Sequence, residues 1–268
     1  MCPPLPLPIT SASNSIVKHV RGVAAGKQDG AVLLEGERLV RDAIGSGLEL
    51  DVLLVSDARE PLAEEFEAAG LAPLLMEDSL LARIGKLKSA DGVLAIGLAP
   101  GMEEAATGLP LIFQAKPDAL VLVAAGIAEP GNLGALARSA EAAGASAMIH
   151  VSGNVSPWNP RALRGAMGSL FRLPVLSASS AADAAAALAA NGVRVVRGAT
   201  RGGAAPAAFD WSGPVALWVG GETGDTGEVE QQFEGVTIPM AGAAESLNVT
   251  VASSLLLFAA GRAEPRGE

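Results

Sequence analysis

The reading of the fold turns on one stretch near the end of the chain, Ile238-Pro239-Met240-Ala241-Gly242-Ala243-Ala244-Glu245-Ser246-Leu247-Asn248-Val249-Thr250-Val251-Ala252. A strand-like run, Val236 to Met240, is punctuated by Pro239 and Gly242. Ser246 and Asn248 then stand at the mouth of an apolar helix that runs from about Leu247 to Ala260. A helix mouth carries unpaired backbone N–H groups and the positive end of the dipole. Polar side chains there cap the helix or hold a ligand, and both readings stand for Ser246 and Asn248. Met240 and Leu247 read, on the same terms, as core residues.

Outward from that stretch the chain alternates strands and helices. Ala119 to Ala125 reads as a buried strand, Asn132 to Ala143 as a helix and Ala147 to Val151 as a strand. Pro160 to Ser169 and the Ala-rich Ala181 to Ala190 read as helices, and Val193 to Val196 and Val215 to Val219 as strands. Glu228 to Phe233 reads as a short helix and Val236 to Ile238 as the last strand. Residues 11–98 alternate in the same way, from a helix over Ser11 to Gly26 to a strand over Val93 to Ile96. Such alternation predicts an α/β protein of two α/β domains. The expected division is 1–98, a connector over 99–117, and 118–268. Pro100, Gly101, Gly108, Pro110 and Pro117 break the rhythm of the connector, which is read as loop with a short strand at Leu111 to Phe113.

Composition narrows the function classes. Half of the 268 residues are apolar and 18% are charged, so a substantial core can form. The single Cys2 excludes a disulfide scaffold and a cysteine zinc site, and two histidines, His19 and His150, do not suffice for a multi-histidine metal centre. No metal is expected. The N-terminus lacks a basic segment followed by an unbroken apolar run, and the apolar stretch Leu247 to Gly261 falls short of the roughly 18 to 20 residues of a membrane span. The expected location is the cytoplasm, with no membrane partner. A net charge of −10 disfavours non-specific binding to phosphates, yet Trp158 to Pro174 holds Arg161, Arg164 and Arg172 and no acid, and Lys18-His19-Val20-Arg21 is also basic. These arginines and lysines make a basic face or are scattered solvated charges.

Two further stretches carry chemistry. Glu129-Pro130-Gly131-Asn132-Leu133-Gly134-Ala135-Leu136-Ala137-Arg138 follows the strand Ala119 to Ala125. Asn132 reads as a helix N-cap and Arg138 as a solvated charge. Alternatively Asn132, Ala135 and Arg138, three residues apart, share one helix face turned to a substrate. The absence of G-x-G-x-x-G argues against a dinucleotide site. Trp218-Val219-Gly220-Gly221-Glu222-Thr223-Gly224-Asp225 ends a strand, where α/β folds place ligands, or is a plain glycine turn.

Taken together, Asn-x-Gly-x-x-x-Arg from Asn132, Gly-x-Glu from Gly220 and Ile-Pro-Met-x-Gly-x-x-Glu-Ser-Leu-Asn-Val from Ile238 resemble the three signatures of the SpoU/TrmH family of RNA ribose 2′-O-methyltransferases, within the SPOUT superfamily. The segment Asn159 to Phe171 resembles the family's stretch between the first two. The resemblance covers about residues 118–260 and extends, with less specific matches at Ser13-Asn14 and Glu35-Gly36, to an N-terminal substrate-binding domain similar in fold to ribosomal protein L30e. Where many relatives continue Gly-x-Glu with Gly-x-Gly-Leu, this chain has Thr223-Gly224-Asp225-Thr226.

The resemblance implies a C-terminal SPOUT domain with a deep trefoil knot that binds S-adenosylmethionine. Its loops here would be Val219 to Asp225, Ile238 to Gly242 and Glu245 to Asn248. Val219, Gly220, Gly221, Ile238, Met240, Gly242 and Leu247 would hold the cofactor, the apolar members around the adenine and the glycines around the methionine moiety. Asn132, Arg138, Glu222, Ser246 and Asn248 fall on the family's active-site positions. Arg138, too weak an acid to serve as a ready base, is expected to hold the target phosphate and stabilise a developing alkoxide. RNA would be met by Lys18, Arg21 and Arg41 of the first domain and by Arg161 and Arg164, with ribosomal RNA of the large subunit favoured over transfer RNA. A homodimer is expected through the C-terminal domain, using the last helix and the apolar face Leu133, Ala137 and Ala140, with Arg138 near the subunit boundary. The competing readings are a transfer-RNA enzyme, an antibiotic-resistance methyltransferase, and a non-catalytic RNA-binding or ribosome-assembly factor.

Overall fold

The computed structural model describes residues 6–28, 30–85, 91–220, 227–242, 244 and 246–261. In chain order the first elements are α1 (Ser15–Ala24), β1 (Ala31–Glu35), α2 (Glu37–Gly45), β2 (Leu50–Ser56), α3 (Glu60–Ala68), β3 (Pro73–Met76), α4 (Asp78–Ile84) and β4 (Val93–Leu98). There follow β5 (Glu103–Glu104), α5 (Ala105–Ala115), β6 (Leu120–Ala125), α6 (Pro130–Ala142), β7 (Ala147–Val151), α7 (Pro160–Ala166), α8 (Ser169–Arg172) and β8 (Val175–Ala178). The chain ends with α9 (Ala181–Ala190), β9 (Arg194–Gly198), β10 (Val215–Gly220), α10 (Gly227–Glu230), β11 (Glu234–Val236) and α11 (Val249–Ala260). Two compact units result, residues 1–100 with 158–171, and residues 101–157 with 172–268.

The first unit holds a four-stranded mixed sheet in the order β1-β4-β2-β3, antiparallel except for the β2–β3 pair. Helix α1 starts where Asn14 Oδ1 accepts the Ile16 N–H at 2.8 Å, and it buries Val17, Val20 and Val23. Residues 158–171 were expected within the C-terminal domain, but they cluster with this unit. The reason is apolar: α7 buries Ala162, Leu163 and Ala166, and it packs on β1. The helix expected to run to Ser169 is also broken, because Met167 adopts a left-handed φ of 50°.

The second unit is built on a seven-stranded sheet in the order β11-β9-β10-β6-β7-β8-β5, parallel at every pairing. Strand β6, Leu-Val-Leu-Val-Ala-Ala, is buried at all six positions, as a parallel strand covered on both faces must be. From β6 the chain steps outward through β7 and β8, then crosses to lay β9 two places away on the other side. β10 later fills the slot between β9 and β6. One face of the sheet packs Val121, Val123, Ile149 and Trp218 against α5 and α9. Helices α6 and α11 pack against each other, α6 on β6 and α11 on β10.

Three expectations are corrected. The connector 99–117 contains an 11-residue helix, and Leu111 to Phe113 lie in it rather than in a strand. Gly108 had been read as a breaker, but it serves packing: a Cβ there would come within 2.5 Å of Leu176 Cδ2. Pro110 is exposed within the helix. Asn132 does not cap α6; Glu129 does, accepting the Gly131 N–H at 3.4 Å, and Asn132 sits inside the first turn. The last strand runs over Glu234–Val236 rather than to Ile238. No helix among the described residues is long and apolar enough to cross a membrane, and no group of three or more potential metal ligands gathers there.

In the first unit Glu37 accepts hydrogen bonds from Arg59 at 2.7 Å and from Arg41 at 2.9 Å, and these two guanidiniums, Arg59 first, hold its carboxyl below the usual carboxylate range. A depressed carboxyl adds stability that is present above its unfolded pKa and is lost as pH falls through the folded value. Glu37→Gln should therefore cost about 1 kcal/mol at neutral pH. The difference from wild type should shrink once pH drops below about 4. Urea unfolding across that range checks both the size and the direction.

Candidate active site

At the C-terminal ends of β9 and β10 a pocket opens in the second unit. Gly198, the last residue of β9, lines it with Ala199 and Thr200 just after, and Leu217, Trp218, Val219 and Gly220 line it from β10. Ile238, Met240, Ser246 and Leu247 close it from the return segment, and Val249, Ala252, Ser253 and Leu256 from α11. Ends of parallel strands are where α/β sheets leave a crevice, because the connections diverge there. Six of the expected residues are thus brought together: Val219, Gly220, Ile238, Met240, Leu247 and Ser246. Gly242 is exposed and off the lining. Gly221 and Glu222, with the altered Thr223-Gly224-Asp225-Thr226 run, lie outside the described residues.

Helix α11 organises the surroundings by giving each face a different task. Val249, Ala252, Ser253 and Leu256, at helical spacing, face the pocket. Thr250 and Ser254 face α6: the Thr250 hydroxyl donates to Asn132 Oδ1 at 3.2 Å, and the Ser254 hydroxyl to Ser139 Oγ at 2.7 Å. Val251, Leu255 and Phe258 point to solvent, at 49%, 49% and 57% exposure. Asn248 is the N-cap, its Oδ1 accepting from Thr250 N at 2.9 Å and Val251 N at 3.4 Å. Asn132 is therefore tied to the helix that follows the signature string, 118 residues away in sequence.

Arg138 lies one face further along α6. It is exposed and makes no hydrogen bond or ion pair among the described residues. The apolar residues Leu133, Ala137 and Ala140 are fully buried within their own chain, against the expectation that they meet a second subunit. Their face is consumed by packing on α11 and β6. In the first unit Lys18, Arg21, Arg161 and Arg164 are exposed. Arg41 instead pairs with Glu37 and Glu65, each at 2.9 Å, and lies over the Phe66 ring, so its charge is already met.

Sequence reasoning missed three contributors. Gly198 could have been found from its position at the end of a parallel strand. Trp218 heads the quoted strand-end stretch but was not assigned to the site, and Glu230 had no local signal. Trp218 packs on Phe233, ring centroids 4.9 Å apart, and its buried Nε1 has no hydrogen-bond partner among the described residues. Burial pushes the Glu230 carboxyl above its ordinary range, with nearby Arg197 opposing.

Comparison with known proteins fits this arrangement. The profile described as the SpoU rRNA Methylase family matches residues 119–258. The 23S rRNA (guanosine(2553)-2'-O)-methyltransferase RlmP of Bacillus subtilis is 31% identical over 256 residues, spanning 93% of this chain and 97% of that one. The 23S rRNA (guanosine-2'-O-)-methyltransferase RlmB of Yersinia pestis is 30% identical over 215 residues, spanning 79% of this chain and 87% of that one. The crystal structure of an AdoMet-bound rRNA methyltransferase from Sinorhizobium meliloti superposes with a TM-score of 0.79 at 28% identity, over 95% of this chain and 97% of that one. The chain belongs to the SpoU rRNA methylase family.

Because Asn248 supplies two backbone donors with their acceptor, Asn248→Ala should lower stability by about 1 kcal/mol. It should also loosen Ser246 and Leu247, which line the pocket beside it. Thermal unfolding together with a ligand titration would register both effects. A variant with unchanged melting temperature and affinity would remove Asn248 from both roles.

Proposed function

We propose that this protein methylates a ribose 2′-hydroxyl of large-subunit ribosomal RNA, with S-adenosylmethionine as methyl donor. The reading rests chiefly on one observation. Val219, Gly220, Ile238, Met240, Ser246 and Leu247, drawn from two separate signatures, line a single pocket beside the helix that carries Asn132 and Arg138. The pocket suits that cofactor: its apolar walls match an adenine, and Glu230 offers a carboxylate. When bound, the cofactor supplies an electrophilic methyl group on a sulfonium. Both curated relatives named above are 23S rRNA guanosine 2'-O-methyltransferases.

The chain's own residues supply position and charge. Leu217, Val219, Leu247 and Leu256 exclude water from the pocket wall, which strengthens electrostatic effects within it. Arg138, exposed and unpaired among the described residues, is free to hold the target phosphate and to stabilise negative charge growing on the ribose oxygen. Asn132, Glu222, Ser246 and Asn248 complete the proposed active-site set. The slot filled by β10, followed by the return segment 237–248 and α11, accords with a trefoil knot around this pocket. The small mixed sheet of the first unit accords with an L30e-like RNA-binding domain. Lys18, Arg21, Arg161 and Arg164 are its proposed RNA contacts; Arg41 is left out because its charge is paired. Ribosomal RNA as substrate goes with a cytoplasmic location.

Arg138→Ala is expected to slow methyl transfer by about 100-fold to 1,000-fold, the usual loss on removing one transition-state donor, while cofactor affinity stays near wild type. Single-turnover kinetics on ribosomal RNA, run beside a cofactor titration, tests this. Unchanged transfer would return Arg138 to an ordinary surface charge.

A homodimer through α11 belongs to the same reading. An apolar helix face gains stability when it is covered, and here Val251, Leu255 and Phe258 form such a face open to water. Phe258→Glu should convert a dimer into a folded monomer in sedimentation at micromolar concentration. A wild-type monomer under those conditions would overturn the assembly.

A further inference from the structure

Glu230 is the one carboxylate lining the pocket among the described residues, and the family's signature strings do not include its position. It ends α10, and its side chain folds back over the end of β10. The fold-back is tight: a Cβ built on Gly220 would overlap Glu230 Oε2, so the carboxylate rests against the Gly220 backbone. No side-chain hydrogen bond or ion pair engages it among the described residues. Arg197 is close enough to act on it electrostatically, yet Arg197 Nε is itself buried and unpartnered rather than bonded to it. A half-buried carboxylate without a donor is costly, because it has given up water and gained only the nearby charge of Arg197 in return. Such a group at a pocket wall is arranged for a donor that arrives with a ligand.

We propose that Glu230 receives the α-ammonium of the methionine moiety of the bound cofactor, and so acts as a cofactor-binding residue that reads the amino-acid end of the ligand. The inference rests on the methyltransferase reading above. Three observations select the ammonium. The carboxylate lies against Gly220, a position that the family resemblance gives to the methionine moiety. An ammonium brings a full charge and three donors, which a ribose hydroxyl does not, so it offsets the burial of a carboxylate more fully. The remaining lining of the pocket is apolar or hydroxylic, as a site for adenine and ribose would be. The raised carboxyl of Glu230 is consistent with a site that awaits a cation, since an arriving ammonium restores the charged form that burial disfavours.

Full-length protein is titrated with S-adenosylhomocysteine and with 5′-methylthioadenosine, which keeps the adenosine and thioether but lacks the ammonium and its carboxylate. Glu230→Gln should weaken S-adenosylhomocysteine binding by about tenfold or more, while 5′-methylthioadenosine binding stays within about twofold. A second measurement uses the wild type alone, comparing S-adenosylhomocysteine with its analogue in which hydrogen replaces the amino group; the analogue should bind more weakly by a similar factor. Equal losses for both ligands in Glu230→Gln would place the carboxylate on the shared ribose and overturn the proposal, as would no loss for either. Undiminished binding of the deaminated analogue to the wild type would overturn it even if the variant failed to fold. A wild type that binds none of these compounds would instead remove the methyltransferase reading itself, a result distinct from the others.

Discussion

The packing of α11 against α6 is the contact on which the second unit depends. Two hydroxyl contacts, Thr250 to Asn132 and Ser254 to Ser139, fix the register of the two helices, and apolar burial supplies the energy. Leu257 and Ala260 of α11 and Leu133, Leu136 and Ala137 of α6 are all buried. Fixing that register sets where Val249, Ala252 and Leu256 stand over the ends of β9 and β10, and hence the depth of the pocket. The same register places Asn132 beside the pocket's helix and leaves Arg138, six residues on and nearly two turns further, exposed to water.

Charge is distributed unit by unit. The chain carries an excess of ten negative charges. In the first unit Glu37 and Glu65 neutralise Arg41 and Glu37 also meets Arg59, so part of the basic content is structural. Among the basic side chains left exposed there are Lys18 and Arg21 on α1 and Arg161 and Arg164 on α7, and both helices pack on β1. Residues from the start and the middle of the chain therefore sit on one compact body. Net charge would have hidden this, because a sum says nothing about position.

Much of the architecture was legible because the apolar period and the turn residues agreed. β7 and α9 fall on the expected residues, β7 between the glycines Gly144 and Gly153 and α9 between its Ser180 cap and Gly192. The connector failed for the opposite reason. Gly108 and Pro110 look like breakers, but one is a packing contact and the other faces water, and only tertiary structure distinguishes those uses. The excursion of 158–171 into the first unit had no local signature either, since an amphipathic helix does not say which core it joins. At the site, the signature strings pointed to the walls of the pocket, whereas Trp218 and Glu230 entered through side-chain direction alone. Of the two readings of Asn132, the structure does not carry the cap: its side chain bonds to a distant helix instead of starting its own.

The slot that β10 fills has a consequence for how the protein is made. β6 and β9 are synthesised before the strand that joins them, so for the span of residues 199–214 both present unpaired backbone edges. During translation the nascent sheet is therefore two open pieces, and every wall of the pocket, from Gly198 to Leu256, emerges from the ribosome among the last third of the chain. Contacts so distant in sequence form slowly, because the loop entropy is lost before the strand pairing compensates it. An incomplete copy of this protein, still tethered to the ribosome that is making it, can fold its first sheet and yet have no place to hold a ligand.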